Sequence, residues 1–148
     1  MKIAIDGPAG AGKSSIAKLM AKELGFIYID TGAMYRASAL YAIENGIKIT
    51  AESFTKEVLD KISIDIQYDE DGQRIFLCGK DVTKRIREAD VSIGASDIAV
   101  IPAVRLKLVD LQRELAKGNN VIMDGRDIGT IFKANRDESF NMIDFINN

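Results

Sequence analysis

The residues Gly7-Pro8-Ala9-Gly10-Ala11-Gly12-Lys13-Ser14 fit the spacing G-x-x-x-x-G-K-[ST]. Several backbone N–H groups can donate to one phosphate only if the chain wraps it closely. Side chains at the bends would block that approach, which is the physical use of Gly7, Gly10 and Gly12. A helix opening near Lys13 aims its positive end at the same anion. Lys13 is long enough to reach the β- and γ-phosphates of a nucleoside triphosphate, and the Ser14 hydroxyl is a hard oxygen ligand suited to Mg2+. A glycine-rich turn with a coincidental lysine would share this composition. It would not share the position between a short apolar run and a helical pattern.

Two further segments carry groups of the same chemistry. Asp30-Thr31-Gly32-Ala33-Met34-Tyr35-Arg36 begins where an apolar run ends. Arg36 can pair with a phosphate, and Thr31 and Tyr35 can donate hydrogen bonds to it. On these residues alone, Asp30 and Thr31 could equally serve only as a cap for the next helix. Val121-Ile122-Met123-Asp124-Gly125-Arg126-Asp127-Ile128-Gly129-Thr130 is the second segment. Asp124, at the end of a buried strand, is placed to hold Mg2+ directly or through water. Arg126 adds a second fork for phosphate, and Asp127 is an acceptor for an exocyclic amino group. A surface turn with a chance Arg–Asp pair is the plain alternative. Strand position and composition together favour a site.

The elements that must position these groups follow from the hydrophobic pattern. Ile3-Ala4-Ile5 is a buried strand stopped by Asp6-Gly7-Pro8. From Ser14 the pattern turns helical, with Ile16, Leu19, Met20 and Leu24 expected on one face and Gly25 as the stop. Phe26 to Ile29 is a second buried strand, which completes a βαβ unit. Helices are expected from about Met34 to Asn45 and from Glu52 to Lys61. Ile62, Ile64, Ile66 and Tyr68 then alternate with polar residues, Asp69-Glu70-Asp71-Gly72 turns, and Arg74 to Cys78 returns, which predicts a hairpin with Cys78 packed in it. Residues 92–101 read as helix, and Pro102 opens another whose stripe is Val104, Leu108, Leu111 and Leu115. Val121 to Met123 is the third buried strand. Ligands bind at the carboxyl ends of strands in such open sheets, so Asp6, Asp30 and Asp124 are expected around one cleft.

Composition narrows the function classes. The chain of 148 residues, 47% hydrophobic and 28% charged, suits an ordinary globular domain. A net charge of −2 gives no basic footprint for nucleic acid. The absence of histidine excludes histidine general bases and His/Cys zinc sites. Cys78 alone cannot form an intramolecular disulfide. No run is long enough to span a bilayer, and the first residues lack the pattern of a signal peptide, so the cytoplasm is expected. A base-reading Asn-Lys-x-Asp segment is missing, which weakens a GTPase reading.

Taken in order, the three segments around Lys13, Tyr35 and Asp124 resemble the bacterial cytidylate kinases, from residue 2 to about residue 131. The resemblance implies an α/β fold: a P-loop NTPase three-layer core with a parallel sheet (here incomplete) and a small antiparallel insert of the nucleoside-monophosphate-binding domain. Core would be 1–61 and 92–132, insert 62–91, and 133–148 a divergent tail. It implies ATP held by Gly7, Pro8, Ala9, Gly10, Ala11, Gly12, Lys13, Ser14 and Ser15, with Mg2+ at Ser14 and Asp124. It implies CMP or dCMP phosphate at Tyr35, Arg36 and Arg126, with Thr31 nearby, and cytosine at Ser96, Arg105 and Asp127. Lys13, Arg36, Arg126 and Asp124 would be the catalytic set. A monomer acting on small molecules, without nucleic acid or membrane, is the implied state.

After Thr130 the family pattern is lost, and the family's further strands and arginine-bearing lid have no counterpart. The chain as written is therefore expected to be a truncated or altered member. It would have an open sheet edge at its first strand that invites association and a rate lowered on the order of 10³-fold. Phe140, Ile143 and either Phe145 or Ile146 could form a short amphipathic helix. A nucleotide-binding fragment without turnover, and a kinase for another small acceptor, are the competing expectations.

Overall fold

The computed structural model describes residues 2–6, 12–69, 72–125 and 139–141. The chain divides into two compact units, Met1–Thr31 with Gln112–Asn148, and Gly32–Leu111.

The first unit is built on a parallel sheet. Its strands are β1 (Lys2–Asp6), β2 (Ile27–Asp30), β6 (Val121–Gly125) and the short β7 (Ser139–Asn141), in the order β2-β6-β1-β7. Ile3, Ile5, Tyr28, Ile29 and residues 121–124 are all buried. A sheet buried on both faces needs continuous apolar runs rather than alternation, and these segments supply them. Helix α1 (Lys13–Leu24) covers one face, where Ala17 and Ala21 cluster with Ile3, Ile5, Tyr28 and Ile122.

That packing corrects the expected stripe of α1. Leu19 and Leu24 are exposed, at 60% and 50%, while Ala17 and Ala21 are the buried residues. Small side chains bring the helix backbone close to the sheet, and Ile16 and Met20 flank the contact half-buried. The second correction concerns the sheet edge. β7 pairs with β1 in parallel, Ala4 opposite Ser139 and Asp6 opposite Asn141. The carboxyl half of β1 is thus covered rather than open, and Phe140 lies in a strand rather than in a helix. Residues 143–146 lie outside the described residues.

In the second unit, the antiparallel sheet has three strands rather than two: β3 (Ile64–Asp69), β4 (Gly72–Leu77) and β5 (Lys80–Asp81). Cys78 and Gly79 form the second turn, with φ of 50° and 82°. Cys78 is exposed, and its thiol donates to the Lys61 carbonyl at 3.3 Å. It is a turn residue, contrary to the packing role expected for it.

Helix α2 (Thr31–Glu44) starts directly at the end of β2, three residues before the expected start. The stretch expected as one helix from Glu52 is a 3₁₀ turn (Ala51–Ser53) followed by α3 (Lys56–Lys61), where Thr55 accepts from the Val58 N–H and caps the helix. Helix α4 (Ala89–Ile98) begins earlier than expected, and α5 (Pro102–Ala116) opens on its proline. In α5 the fully buried positions follow the i+4 ladder Val104, Leu108, Gln112 and Ala116, and Leu111 and Leu115 are only half-buried.

An exposed ion pair lies at the start of α4. Both Arg85 guanidinium nitrogens Nη1 and Nη2 donate to Asp90 at 2.7 Å, and Nη1 also reaches Glu88 at 2.7 Å. These hydrogen bonds from Arg85 lower the Asp90 carboxyl from 3.8 to about 2. The depressed value means the contribution to stability is present above the ordinary carboxylate range and is lost as pH falls through about 2. A carboxyl-detected NMR titration should give Asp90 a midpoint near 2, and Arg85→Gln should return it toward 3.8.

Candidate active site

The carboxyl edge of the parallel sheet brings several of the predicted residues together. The registers set Ile5 opposite Asp124, and Asp30 opposite Asp124 on the other side. Two residues back, Ile3, Ile122 and Tyr28 are aligned in the same way. Side chains two apart on a strand share a face, so Tyr28 and Asp124 lie on the α1 side of the sheet, diagonal to each other.

Asp124 is 5% exposed. A buried carboxylate must be met by donors or it loses its charge. Here the Tyr28 hydroxyl donates to Asp124 Oδ1 at 2.9 Å. The Asp124 backbone is held as well, because Thr31 Oγ1 donates to its carbonyl at 2.7 Å. Thr31 is buried, and its one hydroxyl proton goes to this bond, so it ties the residue after β2 to the end of β6. Tyr28 is a residue that the sequence pattern counts only as part of an apolar strand. The signal for it was available: a tyrosine in a buried strand must find a partner for its hydroxyl.

The helix that follows the glycine loop starts as its chemistry requires. Gly12 has φ 75°, in the left-handed region where a side chain would be strained, and its carbonyl accepts the Ile16 N–H at 3.2 Å. Lys13 is the first residue of α1, and Ser14 and Ser15 in its first turn are exposed. The predicted loop residues Gly7, Pro8, Ala9, Gly10 and Ala11 lie outside the described residues, as do Arg126 and Asp127.

The acceptor-side residues Tyr35, Arg36, Ser96 and Arg105 belong to the second unit. Tyr35 and Arg36 are on α2, both half-buried. Ser96 is exposed on α4, with its hydroxyl 3.4 Å from the Ser92 carbonyl, and Arg105 is exposed on α5. Tyr35 and Arg105 are brought together, close enough for the guanidinium to act on the phenol. Burial pushes the Tyr35 phenol above its ordinary 10.0, and Arg105 opposes that rise through its charge and its hydrogen bond.

Ser14 and Asp124 are both hard oxygen donors and fit Mg2+ in kind. Among the described residues no group of three or more acidic, cysteine or histidine side chains could hold a metal.

Comparison with known proteins decides the family. The family model described as cytidylate kinase matches residues 3–137. The chain belongs to the cytidylate kinase family. Its mixed α/β fold, with a parallel sheet and a separate antiparallel one, is consistent with a P-loop kinase fold. A cytidylate kinase of Pelotomaculum thermopropionicum is 53% identical over 130 residues, covering 87% of this chain and 58% of the relative. One from Caldicellulosiruptor saccharolyticus is 55% identical, covering 88% and 58%. One from Limosilactobacillus fermentum is 48% identical, covering 88% and 57%. The chain thus spans somewhat more than half the length of the curated cytidylate kinases it matches. Among the described residues, no helix is long and apolar enough to cross a membrane.

The Tyr35–Arg105 pair makes a checkable statement. In a chain labelled with ¹³C at the tyrosine ring carbon bearing oxygen, Tyr35 should titrate above 10.0. Arg105→Ala should move it further up, because the favourable charge and hydrogen bond to the phenolate are lost. An unchanged or lower midpoint in the variant would contradict the contact.

Proposed function

We propose that this chain is a nucleoside monophosphate kinase that transfers the γ-phosphoryl group of ATP to CMP or dCMP, giving ADP and CDP or dCDP. The observation that carries the reading is the row of Asp30, Asp124 and Ile5 at the carboxyl edge of the sheet, with α1 opening after Gly12. Ligand sites of open α/β sheets lie at this edge. The likeness to proteins named cytidylate kinase supports the choice of acceptor.

In this reading residues 7–15 wrap the ATP phosphates and Lys13 neutralises charge on the β- and γ-groups. Tyr35, Arg36 and Arg126 hold the acceptor phosphate, with Thr31 nearby. Ser96, Arg105 and Asp127 read the cytosine. An oxygen of the CMP phosphate attacks the γ-phosphorus, and the bond to the oxygen bridging the β- and γ-phosphorus atoms breaks, leaving ADP. The attacking oxygen is already anionic near neutral pH, so no strong general base is needed, and a chain without histidine suffices. Catalysis is then alignment of two anions that repel each other, together with neutralisation of their charge. Bound Mg2+ at Ser14 and Asp124 would supply further charge neutralisation on the donor phosphates. Residues 1–61 and 92–132 form the kinase core in this scheme, the antiparallel segment 62–91 enlarges the acceptor side, and 133–148 is the divergent tail. The reading places the chain in the cytoplasm, where these nucleotides are, acting as a monomer on small molecules.

The test is ADP formation from ATP and Mg2+ with and without CMP. CMP-dependent turnover should fall by at least about 10²-fold in Lys13→Ala, the scale of removing one group that stabilises transition-state charge. Retained ATP binding without CMP-dependent turnover would instead support a nucleotide-binding role.

A further inference from the structure

We propose that Tyr28 is a positioning residue for the nucleotide–metal site, fixing the Asp124 carboxylate through its hydroxyl. The inference rests on the reading of this sheet edge as the site of Mg2+ and ATP. It assigns a role to a residue that none of the three sequence motifs contains.

The geometry separates the ring of Tyr28 from its hydroxyl. The ring belongs to the core beneath α1, clustered with Ile3, Ile5, Ala17, Ala21 and Ile122. The Lys18 ammonium lies 5.8 Å from its centroid, a cation–π contact that ties the ring to α1 as well. A phenylalanine would fill that space equally well. The hydroxyl adds nothing to packing and has to be satisfied where it ends. It ends on Asp124 Oδ1 at 2.9 Å, with both residues 5% exposed.

The partner is not a backbone carbonyl but the carboxylate at the strand end, the group placed to face a cation. Thr31 holds the carbonyl of the same residue at 2.7 Å. Asp124 is therefore fixed at its backbone and at its side chain by two different neighbours. A ligand carboxylate held in one orientation loses little freedom on meeting its metal. Partners that orient ligands in this way typically matter 10- to 100-fold in metal affinity, on the order seen across metal sites.

The variant that isolates the hydroxyl is Tyr28→Phe, read by electron paramagnetic resonance of Mn2+ as the probe for Mg2+, with the full chain and ATP. Tyr28→Phe should weaken Mn2+ binding to the ATP-loaded chain on the order of tenfold. ATP binding in the presence of EDTA and the circular dichroism spectrum should stay as in the unsubstituted chain. In an Asp124→Asn background the same substitution should cause no further loss, since its effect passes through that carboxylate. A purely structural role would give additive losses. Tyr28→Met, which keeps the apolar bulk without a hydroxyl, gives the same reading should the phenylalanine variant fold poorly. Unchanged Mn2+ affinity, or additive loss with Asp124→Asn, overturns the role of Tyr28 and leaves the nucleotide site standing. Failure of the unsubstituted chain to bind Mn2+ with ATP overturns both.

Discussion

The parallel pairing of β6 between β1 and β2 is the constraint on which the rest depends. In a parallel sheet the strands point the same way, so their carboxyl ends fall in one line. The registers that set Ile5 and Asp30 on either side of Asp124 convert three segments, far apart in sequence, into one edge. A slip of a single residue would turn Asp124 to the opposite face and Met123 toward α1. The apolar runs guard against that slip, because residues on both faces are buried and neither face tolerates a carboxylate in mid-sheet.

Burial makes the end of β6 demanding as well as ordered. Asp124 sits at the boundary between a sheet interior and the edge, 5% exposed. The Tyr28 hydroxyl donates to its carboxyl group there. A hydrogen bond to a charged group contributes roughly 1.5–3 kcal/mol, and leaving such a group unmet costs more. The bond from Thr31 to the Asp124 carbonyl holds the backbone of the same strand end.

Much of this was legible in the sequence. The three longer parallel strands announce themselves by short apolar runs that stop at Asp6, Asp30 and Asp124, and Pro102 marks the start of α5. What the pattern missed has physical reasons. Periodicity favours large side chains, so it chose Leu19 and Leu24 for the buried face of α1. The sheet instead accepts Ala17 and Ala21, which allow closer approach. A bend after Ser53 splits an apparent helix, because Thr55 caps a new one. The partner of β1 in the tail escaped notice because Ser139-Phe140-Asn141 is too short and too polar to read as a strand without its neighbour. At the site, motif spacing pointed to Asp124, but not to Tyr28. A hydrogen bond between residues 96 positions apart leaves no trace in local spacing.

The most direct test of the central claim is a titration of the ¹⁵N-labelled chain with ATP and Mg2+, followed amide by amide. The account predicts that the perturbed amides concentrate at Gly12 to Ser15, Asp30, Thr31, Asp124 and Gly125, where the strand ends and the start of α1 lie. Perturbations centred instead on the opposite ends of the strands, at Lys2, Ile27 and Val121, or no response at millimolar ATP, would contradict it.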